Sequence, residues 1–112
     1  MKAVVFYERG SNVTGEKVME IYPRHKQLVD AFAAEGKVMA IGAFANQTDG
    51  SMGVFKDKIS AEEFVRQDPF VKEGIVSKIT IKEWNEILLQ NINNRFENYN
   101  GGQNDTEKQL NR

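Results

Sequence analysis

The sequence predicts a single α+β domain with the element order β-α-β-β-α-β, the ferredoxin-like split β-α-β arrangement. Three observations lead there. Four short stretches rich in Val, Ile, Phe and Tyr read as strands. Two stretches carry apolar residues at steps of three and four and read as helices, one after the first strand and one after the third. Clusters of Gly, Asn, Asp and Pro punctuate the joins. Right-handed crossovers then place both helices on one face of a four-stranded antiparallel sheet.

The first strand runs from Ala3 to Glu8, with Val5 and Tyr7 on one face and Val4 and Phe6 on the other. A loop, 10–15, leads into the first helix. Its apolar face is Val18, Ile21, Tyr22, His25, Leu28, Val29 and Phe32, and Gly36 stands where a C-terminal cap belongs. Pro23 falls inside this pattern, so a helix from about residue 18 with a distortion near the proline is expected. The second strand, Lys37 to Ala45, is apolar on both faces. Asn46 to Gly50 reads as a hairpin turn centred on Asp49-Gly50. The third strand is Ser51 to Asp57. Ser60 and Glu63 have the spacing of a capping box for the second helix, and Asp68-Pro69 ends that helix. The fourth strand is Ile75 to Trp84. Residues 85–95 are expected to form a short helix on Ile87, Leu88 and Ile92. Residues 1–95 are thus the folded domain, and 96–112 are a polar, Asn-rich tail expected to lack a packed core.

Composition narrows the function classes. The 112 residues suit one domain, and 40% hydrophobic content suffices for one core. A net charge of −1 argues against nucleic acid or an anionic membrane as partner. There is no cysteine, which excludes disulfides, thiolate metal sites and cysteine nucleophiles. With only one histidine, no metal or cofactor is expected. The N-terminal apolar run is too short for a signal or a membrane span, so the cytoplasm is the expected location. The first two strands are apolar on both sides, yet the helices cover one face of the sheet only. A second copy packed sheet to sheet would cover the other, so a homodimer is expected.

The sole histidine, His25, stands on the apolar face of the first helix, where an imidazole needs a hydrogen-bond partner. Asp68, at the end of the second helix, lies on the same side of the sheet. A carboxylate bonded to one ring nitrogen fixes the tautomer and raises the basicity of the other, which is the arrangement of a general acid or base. Taken by spacing alone, a satisfied core histidine and a local Asp-Pro turn account for both residues more readily than a catalytic pair does. Tyr7, Tyr22 and Trp84 are candidate pocket aromatics, though such residues more often belong to a core. Arg24 and Arg66 are the candidate anion-binding cations, and solvated helix faces explain them too. No glycine pattern matches a phosphate-cradling loop.

VVFYE, YPRH, AAEGKVMAIGAFA, DGSMGVF, AEEFVRQDPFV and ITIKEWNE follow one another over 2–87, and in order and spacing the chain resembles the YciI-like (YCII-related) family. The histidine of the first helix and the aspartate of the DPF segment are the most specific of these features. The resemblance implies a ferredoxin-like, dimeric α+β barrel, with His25 and Asp68 together in a cleft as an acid–base pair. It also implies lyase- or isomerase-like chemistry on a small cyclic or aromatic molecule, of the dehydrochlorination type, without a cofactor. A non-catalytic small-molecule-binding or interaction module of the same fold is the alternative. RNA binding ranks below both, because the third strand, SMGVFKD, lacks the pattern of aromatics and arginines that stacks bases, and the chain is slightly acidic.

Overall fold

The structure, a computed structural model, describes residues 1–90. Its elements are β1 (Lys2–Arg9), α1 (Gly15–Ala34), β2 (Val38–Ala43), β3 (Ser51–Phe55), α2 (Lys58–Gln67), a short α3 (Pro69–Lys72) and β4 (Val76–Trp84). The sheet order is β2-β3-β1-β4, and every neighbouring pair is antiparallel. This is the ferredoxin-like α+β fold expected from the sequence.

Alternation along β1 divides the sheet into two faces. Ala3, Val5 and Tyr7 are buried and pack in one cluster with Phe32 of α1, Val38, Phe55, and Ala61 and Phe64 of α2. Phe64 is the hub of the aromatic packing, meeting Phe32 edge-on at 5.3 Å and Phe55 at 5.2 Å between ring centroids. The opposite face carries Val4 and Phe6 of β1 with their cross-strand partners Val54 and Met52, and ends at Trp84, which is 45% exposed.

The first helix starts earlier than expected, at Gly15. Thr14 caps it, its hydroxyl accepting from the Lys17 amide at 3.1 Å. Pro23 sits inside an unbroken helix. Ile21, Leu28, Val29 and Phe32 bury the same stripe before and after it. The proline ring is exposed, and packing of that stripe offsets the lost backbone bond. The helix ends in a Schellman motif. Gly36 takes φ 72°, the Lys37 amide reaches the Phe32 carbonyl at 2.9 Å, and the Gly36 amide reaches the Ala33 carbonyl at 3.0 Å.

Other local readings change. The β2–β3 connection is not a two-residue turn. Asn46 caps a single 3-10 turn, Gln47–Asp49, before Gly50. The cap of α2 is Asp57, whose carboxylate accepts from the Ser60 amide at 2.8 Å, and Ser60 lies one turn inside. An aspartate three residues earlier outcompetes the serine as acceptor, because its charge also meets the positive end of the helix. The sequence pattern did not signal the turn α3. Residues 85–90 form no helix, 91–95 of that expected helix lie outside the described residues, and so does the tail, 96–112. Ile87, Leu88 and Leu89 are 98%, 71% and 65% exposed, so no described residue packs against them to hold a helix there.

Gly50 is the most closely approached of the described glycines. It takes φ 95°, and a Cβ built on it would stand 1.9 Å from the Tyr7 carbonyl oxygen. Both the conformation and the contact demand glycine. Gly50→Ala is therefore expected to cost at least about 2 kcal/mol, a fall in melting temperature on the order of 10 °C for a domain of this size. A thermal melt of the variant measures it, and an unchanged melting temperature would contradict the packing described.

Candidate active site

The site forms where α1, the α2–α3 junction and the end of β1 meet. Asp68 ends α2 in an extended conformation, φ −67° and ψ 120°, because the following proline disfavours the helical region. The same residue is the N-cap of α3, with Pro69 in the first helical position. Its Oδ1 accepts from the Phe70 amide at 3.0 Å. That junction turns the carboxylate inward, and Asp68 is completely buried.

Two side chains from other elements complete its coordination. His25 Nδ1 lies 2.8 Å from Oδ1, and the Tyr7 hydroxyl donates to Oδ2 at 2.8 Å. Because the carboxylate oxygens act as acceptors, Nδ1 carries the proton and donates. Nε2 is then the free position, and no described residue bonds to it. The His25 side chain retains 12% exposure. Its ring stacks on Phe70, with centroids 4.1 Å apart and planes within 18°, and meets the edge of Phe64 at 5.9 Å. The imidazole is thus held by a hydrogen bond on one side and by rings at its face and edge. Arg24, beside it on α1, pairs with Glu73 after α3 and ties the two elements across the site.

Tyr7 stays protonated. Burial pushes its pKa far above the ordinary tyrosine value, and the neighbouring Asp68 charge and hydrogen bond push the same way. A phenol that cannot ionise remains a donor to the carboxylate at any ordinary pH.

A cleft adjoins this network. It is open to solvent and has a cavity volume of about 80 Å³, and its lining includes Tyr7, Glu8, Arg9, Val18, Phe70 and Ile75. Tyr7 and Phe70 belong to both the cleft wall and the Asp68–His25 network, whereas His25 itself is outside the lining.

His25 and Asp68, the pair expected from the sequence, are thus in direct contact. Tyr7 joins them through Asp68, as a hydrogen-bond donor as well as a wall. Tyr22 stands one turn before His25, 6.1 Å between ring centroids and 43% exposed. Trp84 is not brought to the site. It pairs with Lys2 at the other end of β1, on the face turned away from the helices. Arg66 is exposed on α2, and Arg24 is occupied by Glu73. Phe70, Arg9 and Val18 are site residues that sequence reasoning does not single out. The DPF triplet is the one available signal for Phe70, since the residue after Asp-Pro falls in the first turn of α3. Among the described residues, no group of acidic or histidine side chains could hold a metal ion. No helix of the described residues is long and apolar enough to cross a membrane.

Comparison with solved structures returns the same architecture. The 5-chloro-2-hydroxyhydroquinone dehydrochlorinase of Burkholderia phenoliruptrix, solved with 2,5-dihydroxybenzoquinone, superposes with a TM-score of 0.63 at 18% identity, over 76% of this chain and 94% of that one. An antibiotic biosynthesis monooxygenase matches at 0.49 and 15% identity, over 79% and 100%. A hydroxynitrile lyase from Passiflora edulis matches at 0.44 and 16%, over 79% and 95%. At 18% identity the likeness to the dehydrochlorinase is one of fold. Comparison with curated proteins returned no match. The model of the YCII-related domain matches residues 1–85, which span the sheet, the helices and the Tyr7–Asp68–His25 network, and the chain belongs to the YCII-related family.

Proposed function

We propose that this chain is a small enzyme that works without a cofactor, using His25 Nε2 to move a proton on a small cyclic or aromatic substrate in a lyase- or isomerase-like reaction. The observation that carries this reading is the buried Asp68 carboxylate bonded to Nδ1, with Nε2 left unbonded by every described residue. In that tautomer Nε2 takes a proton from a substrate C–H or O–H. The electron pair released expels a leaving group as its anion from the neighbouring carbon, or shifts the double bond while the imidazolium returns the proton at the far carbon. The resulting imidazolium is stabilised by the carboxylate at 2.8 Å, the same role that a buried aspartate has in other acid–base pairs. The likeness of fold to a dehydrochlorinase of a ring-hydroxylated aromatic supports the substrate class.

We also propose that the protein works as a homodimer. Phe6, Met52, Val54 and Trp84 leave an apolar face that no described helix covers, and a second sheet would cover it.

A second reading has an observation of its own. Asp68 also accepts from Tyr7 and from the Phe70 amide, so it ties β1, α1 and α3 together whatever His25 does. On that reading the protein is a non-catalytic small-molecule-binding module and the network is structural.

Three measurements separate these. Incubation with chlorinated, ring-hydroxylated aromatics in D2O, read by chloride release and by deuterium uptake, is expected to show turnover that falls about 10²–10⁴-fold in His25→Asn. Equal rates for wild type and variant would sink the acid–base role. Light scattering at micromolar concentration is expected to give twice the chain mass, and a monomeric mass would remove the dimer. Alkaline unfolding probes the structural part. The folded-state pKa of Tyr7 is raised above 10, so its contribution is intact below pH 10 and declines as pH rises further, where only the unfolded chain ionises. Tyr7→Phe is expected to flatten that alkaline decline. An identical decline in the variant would show that Tyr7 is not held as described.

A further inference from the structure

Arg9 is the last residue of β1 and lines the cleft that shares Tyr7 and Phe70 with the site. Its guanidinium makes one bond, Nη2 donating to the Val13 carbonyl at 3.1 Å. No described carboxylate pairs with it. The adjacent Glu8 approaches Lys78 instead, at 4.0 Å, and Arg24 is committed to Glu73. A guanidinium carries five N–H donors in a planar fork, so most of this fork is unspent. Arg9 is half-buried, and the cleft beside it is lined by the apolar Val18, Phe70, Ile75 and Val76 and by the polar Glu8, Gln47 and Ser51. A cation partly withdrawn from water and paired with no described carboxylate, its neighbour Glu8 approaching Lys78, is a ready receiver for a carboxylate, which matches the fork in two parallel hydrogen bonds.

We infer that this cleft binds a small organic acid, its carboxylate on the Arg9 guanidinium and its apolar body, about one ring in size, between Val18, Phe70 and Ile75. The inference rests on the function proposed above and deepens it by naming the substrate class: a ring-hydroxylated aromatic that also carries a carboxylate. Arg9 is the group that selects it; the cleft shares the walls Tyr7 and Phe70 with the Asp68–His25 network, and the end of the ring away from the carboxylate has to reach past Phe70 to meet His25 Nε2, which does not line the cleft.

The test is a titration of the full chain with benzoate, followed by backbone-amide NMR. Benzyl alcohol and benzylamine serve as neutral and cationic ligands with the same ring. Saturable benzoate shifts at Arg9, Ser51 and Val76 are expected, with at least 10-fold weaker binding of benzyl alcohol and none of benzylamine. Arg9→Met is expected to lose benzoate binding at least 10-fold, and Arg9→Lys, which keeps the charge without the fork, to fall between. Thermal melts establish that each variant is folded. If Arg9→Met does not fold, Arg9→Lys and the wild-type ligand series decide. Binding of the alcohol as tight as that of benzoate, shifts elsewhere, unchanged affinity in both variants, or no binding of any ring to the wild type overturns the inference. His25→Asn keeps the two readings apart. If it binds benzoate normally and loses turnover, both stand. If benzoate fails while His25→Asn still abolishes turnover, only the carboxylate pocket falls. If benzoate binds and turnover survives His25→Asn, only the acid–base reading falls.

Discussion

The Asp68 carboxylate is the constraint on which the site depends. An isolated carboxylate moved out of water is strongly unfavourable, and at this depth it is tolerated because three donors meet it. Each donor comes from a different place: a phenol from β1, an imidazole from α1 and a backbone amide from α3. One buried charge therefore sets the relative position of the central strand, the long helix and the short helix. Removing any one donor leaves the other two to compensate a buried charge, so the three are coupled and their effects will not add.

The way α1 crosses the sheet follows from the same requirement. Ile21 and Phe32 are buried, and Leu28 and Val29 pack against the core cluster. That stripe fixes the rotation of the helix, and His25 lies along it. Pro23 does not interrupt it, because the proline faces solvent while the buried contacts on both sides hold the axis. Phe64 and Phe70 then restrict the imidazole ring from its edge and its face. Rigid support for the ring is what an acid–base group needs, since proton transfer falls off steeply with misplacement.

This fold hosts several chemistries, and the architecture does not choose among them. The chemistry of this chain gathers at one corner: a histidine with one nitrogen committed, a tyrosine that stays protonated, and an arginine with no described carboxylate partner beside a cleft. These are complementary features. The protonated tyrosine donates to the aspartate, the aspartate fixes the histidine tautomer, and the cleft beside them includes Arg9 in its lining. The sheet face that no described helix covers is a separate matter, set by strands that are apolar on both sides.

The alternation of apolar residues along four strands and the three-and-four spacing of two helices determine the fold class by themselves, because burial of one face is a local pattern in the chain. The same spacing puts His25 on a buried face, and the Asp-Pro dipeptide announces a helix end at Asp68. Caps and turns are less legible. Thr14 caps a helix that the pattern starts near residue 18, and Asp57 takes the cap that the pattern gives to Ser60, since several short polar side chains could each accept the same amides. The hairpin closes through a 3-10 turn because Gly50 must pass against the Tyr7 carbonyl, a contact between residues 43 apart in sequence. The partners within the site are decided by tertiary structure alone. Tyr7 and Asp68 are separated by 61 residues and His25 and Asp68 by 43. Whether Tyr7 faces a carboxylate, whether Trp84 lies at the far end of its strand, and whether Arg9 keeps a free fork depend on strand register and helix docking. Those are properties of long-range packing, and no local pattern encodes them.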